Sequence, residues 1–369
     1  MKKLLPLTGI RAIAAFWVIL FHLLPMFDYG FFNPLANKGY LGVDLFFILS
    51  GFIISYVHQH EFKILGFLTT FRFLVLRCAR ILPVHYFMLL VFVAFFVLKG
   101  FLSHAPISFE TAGTRRDFIL HLLNVQGWGF ADHNSWNTAA WSISAEWFAY
   151  LTFPLTAPFV QRLKSIRANI VFILACFGFM TVFSLTFGLS NLGWTFHNAL
   201  IRVCAEFFIG CSLYNIYKQN ADRHTEWLIT LPLTLLLAGF WLNIPDIALV
   251  LLITPILYGL SKSTGWLARF LSTRPMTYLG DISFSIYMVH SFLYERLHPL
   301  DQKIHFVTPG ASLHNVVIFT GIVLGIIAAA HLLYRYVEVP ARNVIRALLD
   351  TAAPKPRPVP TLSNATATH

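Results

Sequence analysis

The residues best suited to chemistry sit where an apolar chain should not carry them. Arg11 and His22 are 11 residues apart. That is almost three turns of α-helix, so both would project from one face, about 16 Å apart along the axis. Imidazole titrates near neutral pH and serves as a general base, and a guanidinium grips anions through forked, charge-assisted bonds. An anchoring arginine and a hydrogen-bonded core histidine would give the same spacing. A second set, Arg72, Arg77 and Arg80, precedes Ile81-Leu82-Pro83. Arg77 and Arg80 are i,i+3 neighbours, and Pro83 fits the first turn of a following helix. Such a group suits phosphate, or equally a lipid headgroup.

Two acids complete the inventory. Asp44 lies within Gly42-Val43-Asp44-Leu45-Phe46-Phe47-Ile48-Leu49-Ser50-Gly51-Phe52, and Glu146 within Trp141-Ser142-Ile143-Ser144-Ala145-Glu146-Trp147. Either carboxylate could partner a buried cation, orient a histidine or sit at an interface. Trp141 and Trp147 beside Glu146 suit sugar stacking or an aromatic belt. His290, after Ser285-Ile286-Tyr287-Met288, is another mid-span imidazole with helix packing as its plainer role. The chain has no D-x-D, H-E-x-x-H, G-x-S-x-G or G-x-x-x-x-G-K-[ST] motif, which weighs against metal catalysis, an elbow serine and nucleotide hydrolysis. The histidine-x4-aspartate signature of peripheral lipid acyltransferases also fails, since five residues separate His22 from Asp28.

The elements that position these groups follow from composition. Of 369 residues, 57% are hydrophobic and 12% charged, about half the usual charged share. Too little polar surface remains to coat a globule in water, which excludes a soluble enzyme, a disordered regulator and a soluble nucleic-acid binder. The four cysteines show no C-x-x-C spacing and read as small core residues. A membrane-crossing helix needs about 20 apolar residues. The chain therefore reads as an all-α polytopic membrane protein of about ten transmembrane helices, near 10–27, 39–58, 81–99, 142–160, 169–189, 198–217, 227–243, 246–261, 279–297 and 315–335.

Basic residues set the orientation, because Lys and Arg gather on the cytoplasmic side. With the N-terminus inside, twenty fall on cytoplasmic segments and six on outside loops, which predicts that both termini are cytoplasmic. The first span imitates a signal peptide but lacks a small-x-small cleavage site, so it is expected to be retained. Residues 346–369, rich in proline towards the end, read as a disordered cytoplasmic tail. The Asn364-Ala365-Thr366 glycosylation triplet would face the wrong side.

In order, these blocks resemble the acyltransferase 3 family of integral membrane acyltransferases. The matching pieces are Leu7-Thr8-Gly9-Ile10-Arg11 through His22, the Gly42–Phe52 block, Arg77-Cys78-Ala79-Arg80-Ile81-Leu82-Pro83, Trp141–Trp147, Leu279–His290, and Val337-Glu338-Val339-Pro340-Ala341-Arg342. The resemblance covers 7–342 and places a transmembrane acyltransferase domain at 1–345. Many members have Asp-Gly-Leu-Arg-Gly where this chain has Thr8-Gly9-Ile10-Arg11-Ala12. The resemblance is to the single-domain form, so the large extracytoplasmic hydrolase-like domain of some members is not expected.

The resemblance implies acyl-CoA, most often acetyl-CoA, as donor substrate, with no permanently bound cofactor and no metal. It implies a hydroxyl of an extracytoplasmic or lipid-linked carbohydrate as acceptor, in a bacterial inner membrane. Cytoplasmic CoA would dock on Arg11, Arg72, Arg77 and Arg80, and His22 would act as general base. Asp44 or Glu146 would support it or hold the sugar, and Trp141, Ser142, Trp147, Tyr287 and His290 would line the acceptor site. An acyl-histidine relay is a variant. Acetyl or succinyl as the group moved, the acceptor among lipopolysaccharide, exopolysaccharide or a lipid-linked intermediate, and the oligomeric state all stay open. A proton-coupled transporter or flippase of a carbohydrate intermediate would also use buried Arg, His and acids, although no inverted repeat stands out.

Overall fold

The computed structural model describes residues 3–62, 65–104, 113–131, 133, 135–219, 226–308, 310 and 312–351. Among them there is no strand. The helices are α1 (Leu5–Leu23), α2 (Asn33–Asn37), α3 (Gly42–His58), α4 (Phe67–Leu102), α5 (Arg115–Leu123), α6 (Ala140–Gln161), α7 (Ile166–Thr186) and α8 (Ala199–Gln219). There follow α9 (Trp227–Trp241), α10 (Asp246–Lys262), α11 (Trp266–Leu271), α12 (Arg274–Asp281), α13 (Ser283–Ile304), α14 (Leu313–Leu333) and α15 (Val339–Thr351).

Every one of the ten expected stretches carries a helix. Six segments among the described residues are long and apolar enough to cross a membrane: Leu5–Leu23, Gly39–Phe62, Phe67–Leu102, Ile166–Thr186, Ala199–Gln219 and Leu313–Thr351. Of the other four, α9 and α10 are shorter, and α6 and α13 are richer in polar side chains. The bundle is inverted relative to a soluble protein. Leu185, Leu313 and Leu324 are exposed, while Asp44, Arg202, Glu206 and Glu338 are buried. Hydrocarbon as solvent rewards that arrangement, and the chain is an integral membrane protein.

Boundaries differ where charge was taken to end a span. α1 starts at Leu5 because Pro6 suits a helical first turn, and it stops at Leu23, before Pro25. α4 does not begin at Ile81. It runs unbroken for 36 residues with Arg72, Arg77, Arg80 and Pro83 inside it. Pro83 therefore occupies a helix interior, where it forfeits only the bond to the Ala79 carbonyl. The expected tail begins too early, since α15 continues through Thr351; the rest of the tail lies outside the described residues.

Close backbone contacts hold the frame. A Cβ on Gly51 would come within 1.9 Å of the Phe207 carbonyl oxygen, and one on Gly210 within 2.0 Å of that of Ile48. Glycine alone permits this approach of α3 and α8, the small-residue packing typical of membrane helices.

Candidate active site

Arg11 and His22 sit towards opposite ends of one continuous helix. Arg11 lies in the second turn of α1 and His22 in its last, which leaves the separation near 16 Å.

At the arginine end, α1 packs on α3, and α4 packs on α6 and on the wide π turn Tyr334–Glu338 that joins α14 to α15. Such turns recur at functional sites. Arg11 interacts electrostatically with Arg80, Glu338 and Glu146, and Arg77 with Tyr150, Arg80 and Glu146. Glu146 accepts hydrogen bonds from Ser50 Oγ at 2.6 Å and Tyr150 OH at 2.5 Å. Glu338 is fully buried and accepts from Ser285 Oγ at 3.0 Å, with Arg342 Nη1 3.9 Å away. Among the described residues no carboxylate lies within 4 Å of the Arg11, Arg77 or Arg80 guanidinium. Hydroxyls bind one oxygen of each acid, and Arg77 Nη2 lies 3.4 Å from His58 Nε2, so the half-buried guanidiniums are left without a carboxylate partner and with donors available to an anion.

Arg72 does not join them. Its side chain is exposed and pairs with Asp350 at 2.7 Å. Glu146, expected near His22, belongs to this arginine group instead.

At the histidine end, His22 Nδ1 is 2.9 Å from the Val18 carbonyl oxygen. A carbonyl only accepts, so Nδ1 carries the proton and neutral Nε2 presents its lone pair. The ring lies edge-on to His290, with centroids 4.9 Å apart, and near Tyr294 at 6.0 Å. Ser142 Oγ donates to Tyr287 OH at 2.8 Å, and Tyr287 OH donates to the Ala139 carbonyl at 3.1 Å. The Tyr287 ring is 5.3 Å from that of His290. Ser142, Tyr287, His290 and His22 thus form one string from α6 through α13 to α1. Two residues past His22, a cleft of about 400 Å³ opens, lined by Leu24, Pro25, Asp28, Asn33, Asn37 and Thr308 among others.

Asp44 supports neither end. It is fully buried and accepts two hydrogen bonds from Arg202, one from Nε at 2.8 Å and one from Nη2. Glu206 Oε1 lies 3.8 Å from the same Nε. Trp141 lies against this guanidinium, 5.5 Å from ring centroid to Cζ, so it holds a cation rather than a sugar. Trp147 is half-buried and packs against the apolar core. The tryptophans are six positions apart, about 120° around a helix, which does not make one stacking surface. Arg202 and Glu206 were missed by the sequence reading. Their i,i+4 spacing inside an apolar run was the available signal, but Arg202 looked like a flanking charge.

A lipid-facing helical bundle that fixes a half-buried imidazole with a bare nitrogen, one helix-length from guanidiniums that no carboxylate pairs, has the parts of a membrane-embedded group-transfer enzyme. The profile of an acyltransferase domain matches residues 6–335, and the chain belongs to the acyltransferase 3 family. It is 24% identical over 370 residues to the O-acetyltransferase OatA of Staphylococcus aureus (strain NCTC 8325 / PS 47), covering 91% of this chain and 57% of that protein. It is 24% identical over 380 residues to the putative O-acetyltransferase SACOL0978 of S. aureus (strain COL), covering 93% and 58%. The chain thus spans less than two thirds of the length of these relatives. No solved structure matches.

Proposed function

We propose that this chain is a membrane O-acyltransferase that moves an acyl group, by likeness to the O-acetyltransferases an acetyl group, from cytoplasmic acyl-CoA to a carbohydrate hydroxyl on the other side of the membrane. The observation that carries the reading is the division of α1. One end holds Arg11 with no carboxylate within 4 Å among the described residues, and the other holds His22 with Nδ1–H fixed on Val18 and Nε2 open. In this reading the chain crosses the bacterial inner membrane about ten times and both termini are cytoplasmic. That puts the arginine end inside, facing a polyphosphate donor, and the histidine end near the outer face.

The CoA phosphates dock on Arg11, Arg77 and Arg80. The pantetheine arm runs along α1 and brings the thioester to His22. The acceptor enters through the cleft beyond Leu24, and His22 Nε2 removes its hydroxyl proton as the oxygen attacks the thioester carbon. The C–O bond forms, the C–S bond breaks and CoA leaves. A positioned base contributes about 10² to 10⁴ in rate.

The test supplies labelled acetyl-CoA to the purified chain in sealed vesicles that hold glycan acceptor. Alkali-labile label should accumulate on acceptor inside only when the arginine end faces the donor. Label moved equally in either orientation, or none moved at all, would overturn the reading.

A further inference from the structure

Of the buried imidazoles that the proposed mechanism leaves unused, which include His58, His85 and His121, His290 is the one in ring contact with His22. His290 is 2% exposed. Its Nδ1 lies 2.5 Å from the Tyr287 carbonyl oxygen, so Nδ1 carries the proton, and its Nε2 has no hydrogen-bond partner. A buried acceptor left bare is costly and asks for a reason. The ring faces His22 with centroids 4.9 Å apart and planes at 64°, with no hydrogen bond between the two rings. Both rings are thus tethered alike, each Nδ1–H on a carbonyl of its own helix and each Nε2 bare when neutral.

The surroundings of the pair matter as much. In a serine-protease triad a carboxylate stabilises the imidazolium that forms. Here no carboxylate lies within 4 Å of either ring among the described residues. His22 faces Phe21, Tyr294 and His290, and His290 faces Tyr287, whose hydroxyl is engaged by Ser142 and Ala139. Among these ring neighbours of His22, the one other base able to receive its proton is therefore His290. The two rings also differ in access, since His22 is half-buried near the cleft and His290 is enclosed.

Resting on the acyltransfer reading, we infer that His290 is the second catalytic imidazole, which takes from His22 the proton of the acceptor hydroxyl and delivers it to the sulfur of the departing CoA. The balance is closed. The proton leaves the hydroxyl for His22 Nε2 while the C–O bond forms. It passes to His290 Nε2 and ends on the thiolate released when the C–S bond breaks. Products are the ester and free CoA thiol, both histidines return neutral, and no further reactant is needed.

The test compares acetyl-CoA with its selenoester analogue on the full chain in vesicles. A selenolate leaves without a proton, so a step that only protonates the leaving group should become dispensable. His290→Gln should lower kcat with acetyl-CoA about 10²-fold, with little change in donor KM, and recover most of that loss with the selenoester. His22→Ala should remain inactive with both donors. Equal losses for His290→Gln on the two donors, or no loss on either, would overturn the inference. CoA binding and the thermal midpoint check folding of the Gln variant. If it does not fold, His290→Ala with and without added imidazole carries the same comparison, and rescue confined to acetyl-CoA is the supporting result. Failure of the acyltransfer reading itself is distinct, because the unaltered chain would then move label from neither donor.

Discussion

Two groups of arginines and acids lie inside this bundle, and they do opposite things. In the first, Arg202 is fully buried between Asp44 and Glu206, with its fork spent on Asp44 and its face on Trp141. In the second, Arg11, Arg77 and Arg80 are half-buried, and the nearby acids Glu146 and Glu338 accept from Ser50, Tyr150 and Ser285 instead. Residue type is the same in both places. Whether a carboxylate uses up the guanidinium's donors separates a closed pair that joins α3 to α8 from an open group, which in the proposed function receives the anionic donor.

The comparison can be broken by mutation, and the largest effect should come from the closed pair. Arg202→Ala leaves Asp44 and Glu206 buried without their cation, a loss of about 3 to 5 kcal/mol. It should appear as a lower thermal midpoint or loss of folded protein. The triple change Arg202→Met, Asp44→Leu, Glu206→Gln removes the charges together and should restore most of that stability. Persistent instability would mean that the charges serve something other than packing.

The open group should respond in the opposite sense. Arg80→Gln or Arg11→Gln should leave the thermal midpoint nearly unchanged while the donor KM rises about tenfold to a hundredfold, the scale of one or two charge-assisted hydrogen bonds. Raising ionic strength should weaken donor binding in the parent and less so in these variants. Donor affinity insensitive to both would detach the cluster from CoA. The smallest effect belongs to Arg72. Its exposed pair with Asp350 is worth at most about 1 kcal/mol, and Arg72→Gln should leave both stability and donor KM within error.

Much of this arrangement is visible in the amino-acid sequence, for local reasons. The Arg11–His22 relation is a matter of spacing on a single helix, and α1 preserves it. The ten apolar stretches are likewise local, and each is helical. What failed was the assumption that charge ends a span, since α4 carries three arginines through its first half because two of them face protein rather than lipid. Partnerships across the fold were not visible either. Asp44 and Arg202 are 158 positions apart, so nothing near Asp44 announced that its acceptors were already taken. The contact between His22 and His290 depends in the same way on how α13 crosses α1.

The claim on which the rest depends is that His22 does chemistry at one end of α1 while the arginines hold the donor at the other. The most direct measurement is His22→Ala, assayed in parallel for CoA binding and for label transfer from acetyl-CoA to acceptor. The account predicts unchanged CoA affinity with transfer reduced by at least about 10²-fold. Transfer at the parental rate in a variant that binds CoA normally would contradict it.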